Sequence, residues 1–213
     1  MDAEAVQRAW VNRTGAYSPD YYAHYGSNET SHRLREALDR TVGADASVLE
    51  LGCSAGRHLA HLYDHGYRDL WGIDINAEAG TVMRQAYPAL AEAGNFTFEA
   101  IEDVIDTFEP RQFDAVFSVE TLQHIHHDHA WVFAEVARIT DRLLITVEIE
   151  DTDDPGPEPA VKYIDDDFPL YRRDWGSVFT AFGFDQVDSR SVGRDRMRVF
   201  RRRTPETSPS GRS

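Results

Sequence analysis

The segment VLELGCSAGR, residues 48–57, joins a short apolar run to a turn of small residues. The run predicts a buried β-strand, and Gly52 and Gly56 allow the backbone after it to turn tightly and to approach a ligand. A helix that opens at Gly56 would direct unpaired N–H groups at a bound carboxylate or phosphate. In an open parallel sheet, ligands bind beyond the carboxyl ends of the strands, so this turn is the predicted binding site.

The same turn fits a second interpretation. Residues 52–56 match Gly-x-Ser-x-Gly, the strand-to-helix elbow that exposes a nucleophilic serine in hydrolases. Asp114 and His124 follow Ser54 in an order that a catalytic triad permits. They lie on one predicted strand and its turn, however, which leaves little chain to bring an acid behind the histidine. We therefore interpret Ser54 as a small turn residue and keep a serine hydrolase as an alternative.

Short apolar runs alternate with helical patterns along most of the chain. This alternation predicts an α/β, Rossmann-like fold, with a mostly parallel seven-stranded sheet and helices on both faces. Two strand patterns near the end, Phe184–Ser189 and Met197–Arg202, follow each other without a helix, which predicts an antiparallel C-terminal edge. The earlier apolar runs are Ser47–Leu51, Asp69–Ile73, Phe96–Phe98, Phe113–Phe117 and Arg142–Val147.

We divide the chain into an N-terminal helical cap at residues 1–42, a main domain at 43–203 and a disordered tail at 204–213. Charges and prolines in EIEDTDDPGPE, residues 148–158, predict a loop inside the main domain. The cap is rich in aromatic residues that would either close over a ligand or pack as core. These aromatic residues are Trp10, Tyr17, Tyr21, Tyr22 and Tyr25.

Composition limits the classes of protein to which the chain can belong. Its 213 residues are 41% hydrophobic, enough for one core, and the formal net charge of −15 repels phosphate backbones, which argues against a nucleic-acid partner. The single cysteine, Cys53, excludes an internal disulfide, a cysteine zinc site and an iron–sulfur cluster. Without a recognisable targeting or membrane-spanning run, we expect a cytoplasmic protein. Only Lys162 is lysine among 22 basic residues, and this acidic, arginine-rich composition suggests a halophilic, salt-adapted protein, although a G+C-rich genome would also favour arginine.

A second acidic motif follows about 20 residues after the turn. Asp74 ends the apolar run of WGIDIN, where a carboxylate can accept hydrogen bonds from two ribose hydroxyls. A dinucleotide fingerprint, Gly-x-Gly-x-x-Gly, is not met, because positions 52, 54 and 57 are Gly, Ser and Arg. The turn and Asp74 together favour a nucleoside-containing cofactor other than a dinucleotide.

With these motifs the sequence resembles the class I S-adenosylmethionine-dependent methyltransferases of the generic methyltransferase-domain type, over roughly residues 47–150. The first motif of that family is an acidic residue followed by x-Gly-x-Gly-x-Gly, here Glu50 to Gly56 with Ser54 in place of the middle glycine. Later segments are similar to further motifs of the family, in the same order: FEAIEDV at 98–104, FDAVFSVETLQHI at 113–125 and AFGF at 181–184.

The resemblance implies S-adenosylmethionine as the cofactor and methyl transfer to a small-molecule acceptor. By the same resemblance, Glu50 would face the methionine amino group through water and Asp74 would hold the ribose. Glu102 and the backbone of Ile101 would read the adenine edge; the alternative is that Glu102 and Asp103 only start a helix. The implied cofactor-binding set is Glu50, Gly52, Cys53, Ser54, Ala55, Gly56, Asp74, Ile75, Ile101, Glu102, Ser118 and Val119. A non-catalytic cofactor-binding or partner-binding module stays an alternative, since a cofactor site does not establish an acceptor site.

Histidines are concentrated in QHIHHDH, residues 123–129. His124 matches the histidine that often follows the fourth strand in the resembling family, and we predict it as the catalytic base or substrate contact, with a satisfied structural histidine as the alternative. We predict no metal at this cluster, because nothing elsewhere in the sequence completes a ligand set.

Overall fold

The computed structural model describes residues 2–150, 160–164 and 168–204. Within these ranges the helices are α1 Ala3–Val11, α2 Pro19–Tyr25, α3 Glu29–Thr41, α4 Arg57–Asp64, α5 Glu78–Ala86, α6 Pro88–Ala93, α7 Ile101–Val104, α8 Trp131–Ile139 and α9 Trp175–Ala181. The strands are β1 Val48–Leu51, β2 Leu70–Ile73, β3 Asn95–Thr97, β4 Phe113–Val119, β5 Thr140–Glu148, β6 Ala160–Ile164, β7 Phe168–Arg172, β8 Phe184–Val192 and β9 Asp195–Arg202.

The main sheet has the strand order β3-β2-β1-β4-β5-β9-β8. Strands β1 to β5 run parallel, with Val48 beside Leu70 of β2 on one side and Ala115 of β4 on the other. Strand β9 pairs antiparallel with both β5 and β8. The prediction of a mostly parallel seven-stranded sheet with an antiparallel C-terminal edge is confirmed. Strand order reverses at β1 and β4, the place where open α/β sheets bind ligands.

Alternate residues of β1 enter the two layers of core that cover the sheet. Val48 packs in the cluster that includes Leu38 of α3 and Leu59 of α4. Leu49, next in sequence, packs in the cluster that includes Val136 of α8 and Phe179 of α9. Because successive strand residues point to opposite faces, this central strand is buried on both sides. Helices therefore cover both faces, as the sequence predicts.

The N-terminal helices begin at polar caps that the sequence supplies. Ser18 accepts from the backbone of Tyr21 with Pro19 at the first helical position, and Asn28 forms a reciprocal capping box with Ser31. These contacts start α2 and α3 at defined residues. The division into a cap at 1–42 and a main domain at 43–203 stays a prediction, and beyond Thr204 the predicted tail lies outside the described residues.

The predicted loop at 148–158 is wrong at its first residue. Glu148 is the last residue of β5 and is completely buried, whereas residues 151–159 lie outside the described ranges. Carboxylates are usually exposed, so the charged run was interpreted as one loop. The sequence analysis also did not anticipate the β6–β7 hairpin, whose strands pair from Ala160 opposite Arg172 to Ile164 opposite Phe168. In the described part of the chain no helix is long and apolar enough to cross a bilayer.

Candidate functional site

The turn after β1 is fastened to the end of β2 through its backbone. The N–H groups of Gly52 and Cys53 both donate to the carbonyl oxygen of Ile73, at 2.8 and 2.9 Å. Gly52 has a φ of 73°, and a Cβ at this position would overlap the side chain of Thr121. Glycine is thus required at position 52 by both conformation and space.

Ser54 lies in the left-handed region, with a φ of 49°, a conformation that favours glycine. Its backbone N–H donates to Oδ2 of Asp74 at 2.7 Å. Among the hydrogen bonds of the described residues, none joins Ser54 Oγ to a histidine ring. A hydrolase mechanism needs that bond to activate the serine, so the geometry favours a turn residue over a nucleophile.

Asp74 joins the ends of β1 and β2 from the other side. Its Oδ2 accepts from Ser54, and its Oδ1 accepts from the N–H of Asn76 at 2.9 Å. Burial raises the pKa of Asp74, and these two N–H donors oppose the rise. Each carboxylate oxygen has a further lone pair, so the group can still accept hydrogen bonds from a bound diol.

Glu50, the last residue but one of β1, is 1% exposed. Burial raises the pKa of its carboxyl group well above the usual value, an effect that Arg57 partly opposes. In the described part of the chain no hydrogen-bond donor reaches Oε2 of Glu50. An unsatisfied buried carboxylate oxygen is costly, and an ammonium group, directly or through water, would satisfy it. The methionine end of S-adenosylmethionine carries such a group, so the residues present fit that cofactor.

These residues line a cavity of about 150 Å³ at the carboxyl ends of β1, β2 and β4. The predicted site residues that contribute to its lining are Glu50, Gly52, Cys53, Ser54, Asp74, Ile75, Ile101, Glu102, Val119 and His124. Five of them, Glu50, Gly52, Cys53, Ser54 and Asp74, we call the strand-end wall. The single cysteine is buried and reduced within this wall, consistent with a small apolar filler.

Three predicted site residues do not line the cavity. Ala55 is buried, and Gly56 packs with its α-carbon toward Leu90 and Met83, where a Cβ would come within 3.0 Å of both side chains. Ser118 is completely buried and donates to Glu148 at 2.6 Å. All three lie behind the lining and support it.

Glu102 has a partner of its own within the protein. Its Oε1 lies 3.2 Å from Nδ1 of His129, and its side chain is 10% exposed. Glu102 therefore lines the cavity while bonded to the histidine segment, and its predicted contact with an adenine edge stays a prediction.

Glu148 is a functional candidate that the sequence analysis missed. Its Oε1 accepts from Ser118 Oγ and from the N–H groups of Thr121 and Leu122, and its Oε2 accepts from the N–H of Gln123. Burial raises its pKa to about 8, although the four donors favour the charged form. The available signal was its position, because Glu148 ends a strand in the way that Glu50 and Asp74 do.

Arg173 binds backbone carbonyl groups of the segment after β4, the segment whose N–H groups donate to Glu148. Its guanidinium is 9% exposed and donates to the carbonyl oxygens of Ile125 at 2.8 Å and Leu122 at 3.5 Å. Burial lowers the pKa of Arg173 to about 10. The segment from 118 to 125, which carries His124, is thus fixed between a buried carboxylate and a buried guanidinium.

His124 and three N-terminal rings form another part of the lining, which we call the aromatic wall: Trp10, Tyr17, Tyr22 and His124. The rings of Trp10 and His124 have centroids 4.5 Å apart. Nδ1 of His124 lies 3.3 Å from the carbonyl oxygen of Pro169, and burial lowers the pKa of the ring to about 4. Of the other cap tyrosines, Tyr25 is 62% exposed and Tyr21 is outside the lining.

Of the remaining histidines of 123–129, His129 contacts Glu102, whereas His126 and His127 lie beside Asp128. Nδ1 of His126 accepts from the N–H of Asp128 at 3.2 Å and so caps a short 3-10 turn. Within the described residues, one group brings possible ligand atoms within 4.8 Å of one another: His126, His127 and Asp128. Two of the three residues are exposed and all are neighbours in sequence, so the group is no more than a surface cluster. The absence of a metal stays a prediction.

Comparison with known proteins gives a family match over the central part of the chain. Residues 48–142 match the family model described as a methyltransferase domain. The O-antigen chain terminator bifunctional methyltransferase/kinase WbdD of Escherichia coli is 35% identical over 111 residues, which are 50% of this chain and 15% of that protein. The O-methyltransferase cnsE of Penicillium expansum is 25% identical over 152 residues, 67% of this chain and 55% of that protein. The chain thus spans at most about half the length of these relatives.

Solved structures share the fold at low sequence identity. The magnesium protoporphyrin IX methyltransferase of Synechocystis PCC 6803, crystallised with bound SAH, has a TM-score of 0.64 at 16% identity, covering 94% of each chain. An O-methyltransferase family protein from Burkholderia thailandensis has a TM-score of 0.67 at 16% identity, covering 88% of this chain and 59% of that one. These likenesses concern the architecture.

Proposed function

Because residues 48–142 match the methyltransferase-domain family, we propose that the chain is a class I methyltransferase that transfers a methyl group from S-adenosylmethionine to a small-molecule acceptor. Several observations support this activity together: the family match, the relatives named as methyltransferases and the strand-end wall. The formal net charge of −15 argues against nucleic acid as the acceptor. A cytoplasmic location and salt adaptation stay predictions.

One observation carries the proposal above the others. Glu50 offers a buried carboxylate oxygen that has no donor in the described part of the chain, and Asp74 offers a second carboxylate on the other side of the same turn. Two acidic groups flanking a glycine turn suit a ligand with a cation at one end and a diol further along. The methionine ammonium would lie toward Glu50 and the ribose toward Asp74. A nucleoside triphosphate carries no ammonium group for Glu50, and the pyridinium cation of NAD has no N–H on its charged nitrogen to donate to Oε2.

The protein residues would supply alignment and exclusion of water. When bound, the cofactor supplies a methyl group already activated by the sulfonium. Holding donor and acceptor in line removes most of the entropic barrier to displacement. Helices α1 and α2 contribute Val6, Trp10 and Tyr22 to the lining and would shield a bound molecule from water on that side. Asn76 ties the N-terminal helices to the sheet, because its Nδ2 donates to the carbonyl oxygen of Arg13, just after α1, at 3.3 Å.

Binding of the demethylated product S-adenosylhomocysteine is the first test. At a ligand concentration of 100 times Kd, binding to the native state adds about 2.7 kcal/mol, which raises Tm by about 5–10 °C in a chain of this size. We expect this shift with S-adenosylhomocysteine and S-adenosylmethionine, and none with NAD or ATP. A shift with NAD alone would overturn the cofactor assignment.

Two matched variants test whether S-adenosylhomocysteine binds at the strand-end wall. Glu50→Gln removes the charge that would face the ammonium group, and we expect S-adenosylhomocysteine to bind at least about tenfold more weakly, the loss typical of one charged hydrogen bond. Glu92→Gln removes an exposed carboxylate on α6 and should leave the affinity unchanged. Equal affinities in the two variants would count against the proposed orientation of the cofactor.

Turnover separates an enzyme from a non-catalytic binding module. Purified protein incubated with S-adenosylmethionine and fractions of cell extract should release S-adenosylhomocysteine in at least one fraction, above the rate without extract. Binding without release in every fraction would favour the module.

A further inference from the structure

The aromatic wall is the part of the cavity that the proposed cofactor contacts leave unused. Its rings come from α1, the α1–α2 connection, α2 and the segment after β4, and they share one cavity with Glu50 and Asp74. Given the proposed function, on which this inference rests, the aromatic wall is where the acceptor would lie. The chemistry of its residues therefore indicates which class of molecule is methylated.

His124 offers an acceptor nitrogen to this space. A carbonyl oxygen only accepts hydrogen bonds, so the contact between Nδ1 and the carbonyl of Pro169 places the ring hydrogen on Nδ1. The lone pair of the neutral ring is then on Nε2. Burial lowers the pKa of His124 to about 4, which keeps the ring neutral at pH 7. A neutral hydroxyl group is a suitable donor to such a nitrogen.

A flat indole ring and apolar side chains lie in the same cavity as His124. The ring of Trp10 lies against His124 with centroids 4.5 Å apart, and Val6 and Ile125 add apolar lining at 4% and 5% exposure. Indole rings bind other aromatic rings more tightly than saturated groups of the same area, because the ring quadrupoles favour offset or edge contacts. Such a lining favours a planar acceptor.

We propose that the acceptor is an uncharged, planar aromatic molecule that is methylated on a ring hydroxyl, with its ring against Trp10 and its hydroxyl donating to Nε2 of His124.

The charges near the wall favour an uncharged ring. Arg194 pairs with Glu120 at 2.6 Å, and the guanidinium of Arg57 lies 4.6 Å from the centroid of the Tyr22 ring. Both arginines are therefore already engaged with groups of the protein. An acceptor with a carboxylate or phosphate would have to displace these contacts, whereas an uncharged ring leaves them intact.

The proton transfer that accompanies methylation favours an aromatic hydroxyl group over an aliphatic one. The acceptor oxygen forms a bond to the methyl carbon and loses its proton to Nε2 of His124, while the carbon–sulfur bond breaks and its electron pair stays on sulfur. The imidazolium then returns the proton to water. A phenolic hydroxyl has a pKa of about 10, against 15.7 for water, so a weakly basic imidazole assists its ionisation far better.

Binding of a probe and its saturated analogue tests the ring preference without turnover. The probe is 2-naphthol and the analogue is decahydro-2-naphthol, each titrated by calorimetry into protein saturated with S-adenosylhomocysteine. We expect 2-naphthol to bind about three- to tenfold more tightly, the ratio that one aromatic contact supplies. Equal affinities, or binding of neither compound, would overturn the inference.

Matched tryptophan variants assign the preference to the wall. Trp10→Leu should remove the preference for 2-naphthol, whereas Trp131→Leu, at a position that is 44% exposed on α8, should retain it. Both variants should still bind S-adenosylhomocysteine as the wild type does, which shows that they are folded. A preference that survives Trp10→Leu would place the ring elsewhere and overturn the inference.

Methyl transfer to the probe tests the hydroxyl and the nitrogen. With S-adenosylmethionine, the protein should convert 2-naphthol to 2-methoxynaphthalene, and His124→Phe should slow this by about 100-fold or more while retaining the ring preference. Product without dependence on His124 would contradict the assigned nitrogen. If S-adenosylhomocysteine itself fails to bind, the proposed function fails and the acceptor class fails with it. Binding of the cofactor without the aromatic preference would overturn the acceptor class alone.

Discussion

The two walls of the cavity are built in different ways. The strand-end wall comes from two neighbouring parallel strands and the turns that follow them, joined by backbone bonds from Gly52 and Cys53 to Ile73. The aromatic wall comes from segments that are far apart in the chain. Ring contacts and isolated hydrogen bonds, such as that from His124 to the carbonyl oxygen of Pro169, hold these segments together. One wall follows from the sheet, and the other depends on how separate pieces pack against it.

This difference has a functional consequence. Backbone bonds and positive-φ turns leave few side-chain choices in the strand-end wall, so a bound ligand there meets a fixed shape. Side chains alone form the aromatic wall, so substitutions there would change what is bound without disturbing the sheet. We therefore expect variants of the first wall to alter cofactor binding and stability, and variants of the second to alter the acceptor.

The largest effect is expected from Gly52→Ala. The new Cβ would overlap Thr121 in a backbone of φ 73°, and we expect a loss of more than about 3 kcal/mol in the free energy of unfolding. Gly15→Ala is the matched control, because Gly15 has the same φ of 73° with open space around its α-carbon. The control should lose only about 1–2 kcal/mol from backbone strain. Similar losses in urea denaturation would show that the strand-end wall tolerates a side chain.

Asp74→Asn should have the next largest effect. The amide keeps an acceptor oxygen for one N–H donor but loses the charge, and we expect S-adenosylhomocysteine to lose about 1.5–3 kcal/mol of binding free energy. His124→Ala, in the other wall, should lose less than about 0.5 kcal/mol in the same calorimetric measurement, because the proposed cofactor contacts do not include it. An unchanged affinity for S-adenosylhomocysteine in the Asp74 variant would show that the ribose does not bind at Asp74.

A pH-dependent effect is expected at Glu148. Its pKa is raised to about 8 from the usual value of 4.5, so between these pH values the native state binds more protons than the unfolded state and loses stability as pH rises. From pH 5 to pH 8.5 we expect the wild type to lose at least about 1 kcal/mol relative to Glu148→Gln, which does not titrate. Parallel stability curves for the two proteins would contradict a protonated Glu148.

The smallest effect is expected at Ser54. Glycine would relieve its left-handed backbone, so Ser54→Gly should change the free energy of unfolding by less than about 1 kcal/mol and cofactor affinity by less than about threefold. Ser54→Ala should remove no esterase activity, since we expect none. Hydrolysis of 4-nitrophenyl acetate that Ser54→Ala abolishes would make the hydrolase alternative correct.

The strand-end wall was predictable because its signals are local. Apolar runs that alternate with helical patterns predict β1 to β5, and Glu50, Gly52 and Asp74 fall at the ends of two such runs. Parallel strands bring their carboxyl ends to one edge of a sheet, so these residues had to converge. The sequence did not show that Ala55, Gly56 and Ser118 lie behind the lining. Residues that line a cavity and residues that support its lining have the same sequence pattern.

Glu148 shows where sequence reasoning fails. A glutamate followed by IEDTDDPGPE resembles the start of an exposed loop, and only the packed structure brings four donors to its carboxyl group. Those donors include three consecutive backbone N–H groups, which carry no side-chain signature. Burial of a carboxyl group depends on what surrounds it in space, and for Glu148 the surroundings come from residues about 25 positions earlier in the chain.

By itself, the amino-acid sequence determined the doubly covered parallel sheet, the turn after β1 and the two carboxylates beside it, because periodicity and turn chemistry act between near neighbours. Only the tertiary structure decided that Trp10 meets His124, that Pro169 sets the tautomer of that histidine, and that Glu148 and Arg173 hold the segment between them. These contacts join residues that are distant in sequence, and their energy depends on distance, burial and orientation, which a linear pattern does not specify.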